Sequence, residues 1–167
     1  MTTSKNIILN HKEIQNKVRR IAYQIYECNV DEKELVIAGI EKGGYALAKM
    51  VKKQLDKISA IESSLCKVSL DKKNPLESVQ TSMSPEDYTN KSIVLVDDVL
   101  NSGSTLMYGV KHFLNVPVKQ FKTAVLVNRN HKKFPVKADF KGISLSTSLN
   151  EHVKINLSKQ PYEAFLD

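Results

Sequence analysis

Cysteine is scarce in this chain, occurring only at Cys28 and Cys66. Two thiols cannot build a disulfide scaffold, and this pair is not spaced as a metal site. Both are read as buried or incidental thiols. Long apolar runs are missing too: the longest stretch free of charge falls far short of the roughly 20 residues a membrane span needs. The segment Met1–Asn6 is short and polar, without the apolar core of a signal peptide. The expectation is a cytoplasmic protein with no membrane contact. No internal repeat, low-complexity tract or linker appears, so residues 1–167 are read as a single domain large enough to bury a core. Charge is plentiful, with 25 Lys and Arg against 18 Asp and Glu, a formal +7. That surplus favours polyanionic partners, whether nucleic acid, a membrane surface or phosphorylated small molecules. The lysines come in scattered pairs, Lys52-Lys53, Lys72-Lys73 and Lys132-Lys133, and no basic stretch is interleaved with aromatics. Charge alone therefore permits RNA binding without demanding it.

The remaining sequence alternates between two periodicities. Residues 10–29 carry Ile14, Val18, Ile21, Ala22 and Ile25 at helical spacing, with Asn10 as N-cap, Glu13 completing a capping box and Leu9 stapling against Ile14. Leu35 to Ile40 is a short uncharged run of the kind that forms a strand buried on both faces. A glycine turn, Gly43-Gly44, precedes a second helical pattern at Tyr45, Leu47, Ala48, Val51 and Leu55. A strand is expected over about 65–70, then an aperiodic polar loop over 71–91, which at that length is functional or mobile. Ile93 to Val96 reads as a buried strand, Leu106, Val110, Phe113 and Leu114 as one helix face, and Phe121–Val127 as a strand. Short strands are expected near 139–145 and 153–157. Such alternation predicts an α/β fold, a mostly parallel twisted sheet flanked by helices. Ligands of such sheets bind at the carboxyl ends of strands where the winding reverses. Loops 40–44 and 97–105 both follow strands and converge if those strands are neighbours.

The segment Ile93 to Thr105 holds the most chemistry. After its apolar strand come two carboxylates, Asp97 and Asp98, then Asn101-Ser102-Gly103-Ser104-Thr105. Small residues with a glycine between strand and helix let successive N–H groups turn inward as an anion nest, and a helix starting near Thr105 adds its positive end. Adjacent carboxylates accept hydrogen bonds from a vicinal diol and help hold a hard divalent cation, usually through water. Alone, an Asp-Asp pair is more often a strand-end cap, and Gly43-Gly44 is equally well a plain turn. The strand before the acids and the nest after them favour a sugar-phosphate site. Neither a Walker A motif nor a dinucleotide fingerprint is present.

This pattern resembles the binding motif for 5-phosphoribosyl 1-pyrophosphate (PRPP) in type I phosphoribosyltransferases: apolar strand, two acids, two apolar residues, then Thr/Ser-Gly-x-Thr. The resemblance extends over most of the chain and is closest to the pyrimidine-operon attenuator and uracil phosphoribosyltransferase family, through Gly39 to Gly44 and the run Ala124 to His131 with Pro135 and Ala138-Asp139. It implies a magnesium-dependent transferase, a homodimer or higher oligomer, with a small C-terminal hood over the nucleobase. Asp97 and Asp98 would bind the ribose hydroxyls and Mg²⁺, and Asn101 to Thr105 the 5-phosphate. Glu41, Lys42, Gly43 and Gly44 would form the pyrophosphate loop, where backbone approaches oxygen closely because no Cβ intrudes. Lys72 and Lys73 would close over PRPP, although both also read as solvated charge. Asn128, Arg129 and Lys137 would lie at the base.

The implied reaction displaces pyrophosphate from C1 of PRPP by a ring nitrogen, through electrostatic preorganisation more than covalent chemistry. Purine-specific members often carry Asp where Asn101 stands; Asn takes no proton, which favours a pyrimidine. Relatives usually have Arg where this chain has Gly43, and Arg followed by acids where it has Leu70-Asp71-Lys72-Lys73. Two alternatives remain open at this point: a purine (hypoxanthine/guanine) enzyme, and an RNA-binding regulator of pyrimidine genes using the nucleotide site as sensor.

Overall fold

The computed structural model describes residues 5–167; Met1–Ser4, most of the polar N-terminal segment, lie outside them. Strand β1 (Asn6–Leu9) leads into helix α1 (His11–Cys28), which begins at the expected capping box. Asn10 Oδ1 accepts the Glu13 N–H at 2.9 Å, and Glu13 Oε2 accepts the Asn10 N–H at 2.8 Å. The buried stripe of α1 is Ile14, Val18, Ile21, Ala22 and Ile25, as the spacing predicts. Next come β2 (Glu34–Ile40), α2 (Gly43–Ile58) and β3 (Glu62–Ser69). The glycines do not form a turn ahead of the helix. They are its first two residues, and the reversal falls on Glu41-Lys42, whose peptide bond is cis.

The expected loop 71–91 is not structureless throughout. It contains β4 (Gln80–Thr81) and the single-turn helix α3 (Pro85–Tyr88), too short to show a period, although Tyr88 buries its ring edge-on against Phe113. Strand β5 (Ser92–Leu100) runs through both acids rather than ending before them. Helix α4 (Ser104–Phe113) buries Leu106, Gly109 and Phe113, while Leu114 is its C-cap and is exposed. Strands β6 (Gln120–Arg129), β7 (Phe140–Leu145), β8 (Val153–Asn156) and β9 (Glu163–Leu166) complete the chain.

The main sheet has the order β4-β3-β2-β5-β6-β7, parallel except for β4 against β3. Alternation along each strand feeds two cores. Val94 and Val96 face α1 and α2, whereas Ile93 and Leu95 pack with Leu106 and Phe113 of α4. A second sheet, β1-β9-β8, forms the hood. The hood is thus not purely C-terminal: its β1 comes from the other end of the chain, and Leu9, Leu157 and Ala164 join the core containing Ile14 and Ile21. Both cysteines are free; Cys66 is buried and Cys28 is exposed. Among the described residues no helix is long and apolar enough to cross a membrane.

Candidate active site

The chain winds from β2 outward to β3, then returns to place β5 on the other side of β2. The winding direction reverses between β2 and β5, so the loops after these two strands share one crevice. Their contact is close. A methyl group on Gly44 would stand 2.6 Å from the Val96 carbonyl oxygen and 2.9 Å from the Asp97 Cα, and one on Gly43 would run into the Asp98 carboxylate. Only glycine permits this approach.

Around the first loop, Glu41 N–H donates to the Val68 carbonyl at 2.9 Å and Ala46 N–H to Lys42 at 3.2 Å. Among the described residues, none accepts from the amides of Gly43, Gly44 or Tyr45, the open donors of the α2 N-terminus. The Glu41 side chain turns aside to β3. The Ser69 hydroxyl donates to its Oε2 at 2.8 Å, and Lys67 Nζ lies 3.5 Å from Oε1. The Ser69 bond first, and Lys67 with it, hold this carboxyl below its usual range. Lys42 is exposed.

Strand alternation sends Asp97 and Asp98 to opposite faces of β5. Asp98 meets Gly43, whereas Asp97 lines a cleft of about 70 Å³ with Asn101, Ser102, Gly103 and Thr105. Asp97 is 2% exposed; its burial, followed by the neighbouring Asp98 charge, pushes its carboxyl up to about 8. Lys72 Nζ sits 3.7 Å from Asp97 Oδ1, so the 70–79 segment reaches down over the cleft. Lys73 points away, exposed, with its amide on Asp71 Oδ1 at 2.8 Å.

The second loop has open amides as well. Gly103 adopts φ +89°, a left-handed conformation, and its missing side chain makes room for Val136. The Ser102 carbonyl is tied outward by the N–H groups of Lys133 and Phe134 at 2.8 and 3.1 Å. Ser104 N–H makes one long bond, 3.3 Å, to Ser102 Oγ. Among the described residues, nothing accepts from the amides of Ser102, Gly103 or Thr105. A carbonyl held away and a row of amides left open at a helix start make an anion cradle.

The three residues expected at the base are placed differently from one another. Asn128 is buried, with Nδ2 on Ser144 Oγ at 3.2 Å and Oδ1 without a partner. Arg129 is buried, its donors taken by Asn101, Thr147, Ser148 and Glu151. Lys137 is exposed and pairs with Asp139 at 3.5 Å. Nothing in the sequence pointed to the 146–151 segment, where Ser146 meets Asn130, Thr147 meets Arg129 and His131, and Ser148 meets Arg129. Their spacing of about sixteen residues is set by β6–β7 pairing rather than by any local period.

An open anion cradle, twin acids and a second amide-rich loop meeting at the switch point of a parallel sheet define a class of proteins that bind phosphorylated sugars. The chain belongs to the phosphoribosyltransferase family: the model of the phosphoribosyl transferase domain matches residues 4–158. It is 31% identical over 156 residues to the Bifunctional protein PyrR of Streptococcus mutans, covering 90% of this chain and 87% of the relative. Identity to the Bifunctional protein PyrR of Bacillus subtilis is also 31%, over 165 residues, 93% of this chain and 91% of the relative. Among solved structures, a hypoxanthine-guanine phosphoribosyltransferase of Bacillus anthracis superposes with TM-score 0.80 at 19% identity, over 98% and 97% of the two chains. The hypoxanthine phosphoribosyltransferase of Trypanosoma cruzi gives 0.78 at 16%, over 97% and 95%. The protein is thus a phosphoribosyltransferase with an α/β fold and a mostly parallel sheet.

Proposed function

We propose that the protein transfers ribose 5-phosphate from PRPP to uracil with release of pyrophosphate, as a single domain spanning residues 1–167. The observation that carries this is the convergence of two open-amide loops on Asp97 and Asp98. Amides of Ser102, Gly103 and Thr105 receive the 5-phosphate, the acids receive the ribose hydroxyls, and amides of Gly43 and Gly44 receive the pyrophosphate. Pyrophosphate departure builds charge on oxygen, and fixed N–H donors stabilise that charge without reorganising. The segment carrying Lys72 covers the cleft and keeps water from the sugar cation.

A hard divalent cation fits this donor set. Asp97 is buried beside a like charge with only Lys72 opposite, an arrangement that lacks positive charge. Among the described residues no cluster of three or more His, Cys, Asp or Glu could hold a metal unaided. Asp97 and Asp98 would therefore hold Mg²⁺ together with water and substrate oxygens, and it would neutralise the leaving pyrophosphate.

Uracil is favoured because Asn101, at the cleft, takes up no proton and so cannot be the general base that purine-specific members often carry there; the uracil N1 proton leaves by another acceptor. Homodimerisation and a cytoplasmic location go with this reading. The formal charge of +7 and the description of the relatives as bifunctional support a second role in binding RNA. The deciding measurement is turnover with PRPP, Mg²⁺ and a panel of uracil, hypoxanthine, guanine and xanthine. Uracil is expected to lead, and a purine ahead by about tenfold overturns the assignment.

A further inference from the structure

Arg129 ends β6 at 6% exposure, and a guanidinium that deep must place its donors on protein acceptors. Its acceptors lie in two separate regions. Nη1 donates to Asn101 Oδ1 at 3.0 Å, at the start of the phosphate loop. Nε and Nη2 donate to Thr147 Oγ1 at 2.9 and 2.7 Å, and Nη2 reaches the Glu151 carbonyl at 2.7 Å and that of Ser148 at 3.3 Å. Residues 147–151 lie between β7 and β8, where the chain leaves the main sheet for the hood. The Glu151 carboxylate accepts the Ser148 N–H at 2.8 Å, which closes this segment into a compact turn with its carbonyls on Arg129. A guanidinium only donates, so the Asn101 atom facing it is the amide oxygen and the NH₂ is turned elsewhere.

The geometry points to Arg129 as a positioning residue that holds the phosphate loop and the hood in register, through Asn101 on one side and residues 147–151 on the other. Its donors are taken by protein acceptors, so it is not placed to read the base as the family resemblance implies. Its effect on catalysis rests on the phosphoribosyltransfer reading above, but the link itself can be read without turnover. The contrasting possibility is that Arg129 merely pins the hood segment and Asn101 rides along.

The variants Asn101→Ala, Arg129→Lys and their combination separate the two. Asn101 is exposed, so its truncation leaves the fold intact even if Arg129→Lys does not. In unliganded Asn101→Ala, amide hydrogen exchange over 147–151 is expected to rise at least about threefold. With PRPP and uracil, kcat is expected to fall about tenfold or more while KM for PRPP moves less than about threefold. Lysine, with one donor centre for four acceptors, is expected not to rescue. The double variant is expected to lose no more than Arg129→Lys alone, since both break one connection. Additive losses, or unchanged exchange over 147–151 in Asn101→Ala, overturn the inference. If the wild type turns over none of the four bases, the uracil reading fails by itself and the exchange result still decides the role of Arg129.

Discussion

Gly43 stands where the family resemblance implies an Arg, and its surroundings leave little room for a side chain. A Cβ would run into the Asp98 carboxylate, so this loop has direct contact with the acid in place of a fixed cation. Gly103 is constrained differently: its φ of +89° disfavours any L side chain, and Val136 fills the space a Cβ would take. The two glycines thus answer different questions, one about approach and one about backbone conformation. Gly43→Ala isolates the first. Alanine gains about 1 kcal/mol of helix propensity at the start of α2, offset by displacement of Asp98. The urea midpoint is therefore expected to shift little, while kcat/KM for PRPP falls about a hundredfold, the scale of a misplacement near 1 Å. A variant with near-normal kcat/KM would show that the loop and the acids do not act together.

At the level of elements, helix α1 shows how far local chemistry reaches. Its capping box is formed from both sides, and replacing Asn10 with Ala strips the acceptor from the Glu13 N–H. A loss of about 1 kcal/mol in urea unfolding is expected, with kcat and KM unchanged because Asn10 lies outside the cleft. Such elements were legible because apolar spacing and a cap agree, as in α1, or because an uncharged apolar run marks a buried strand, as in β2, β5 and β6. Elements too short to display a repeat of their period were not. Strand β4 has two residues, α3 has four, and β9 alternates weakly with Ala164 its one fully buried side chain. Asp97 and Asp98 were legible as residues of the crevice but not as strand residues, since acids are rare inside parallel strands and β5 accepts them only where its end opens to the cleft. The Arg129 network was invisible for another reason. Asn101 and Thr147 meet it only after β5, β6 and β7 are laid side by side.

Over the whole molecule, the hood decides whether the chain acts as one unit. Strand β9 lies between β1 and β8, so residues near both ends of the described chain share one small sheet. A three-stranded sheet of four-residue strands has little stability alone and must borrow a core. It does so through Leu9, Leu157 and Ala164, which pack into the cluster that also holds Ile14, Ile21 and Leu126. The hood sheet therefore shares one core with α1 and α2, the latter opening on the Gly43-Gly44 loop. Ala164→Glu places a carboxylate where exposure is 0% inside an apolar cluster. A destabilisation of about 3–5 kcal/mol is expected, the scale of an uncompensated buried charge. Coupling predicts that this loss lowers a single thermal transition, followed together by far-UV and aromatic circular dichroism. A hood that melted first, leaving the main sheet at its original midpoint, would mean two units rather than one, with the hood free to move independently of the main sheet.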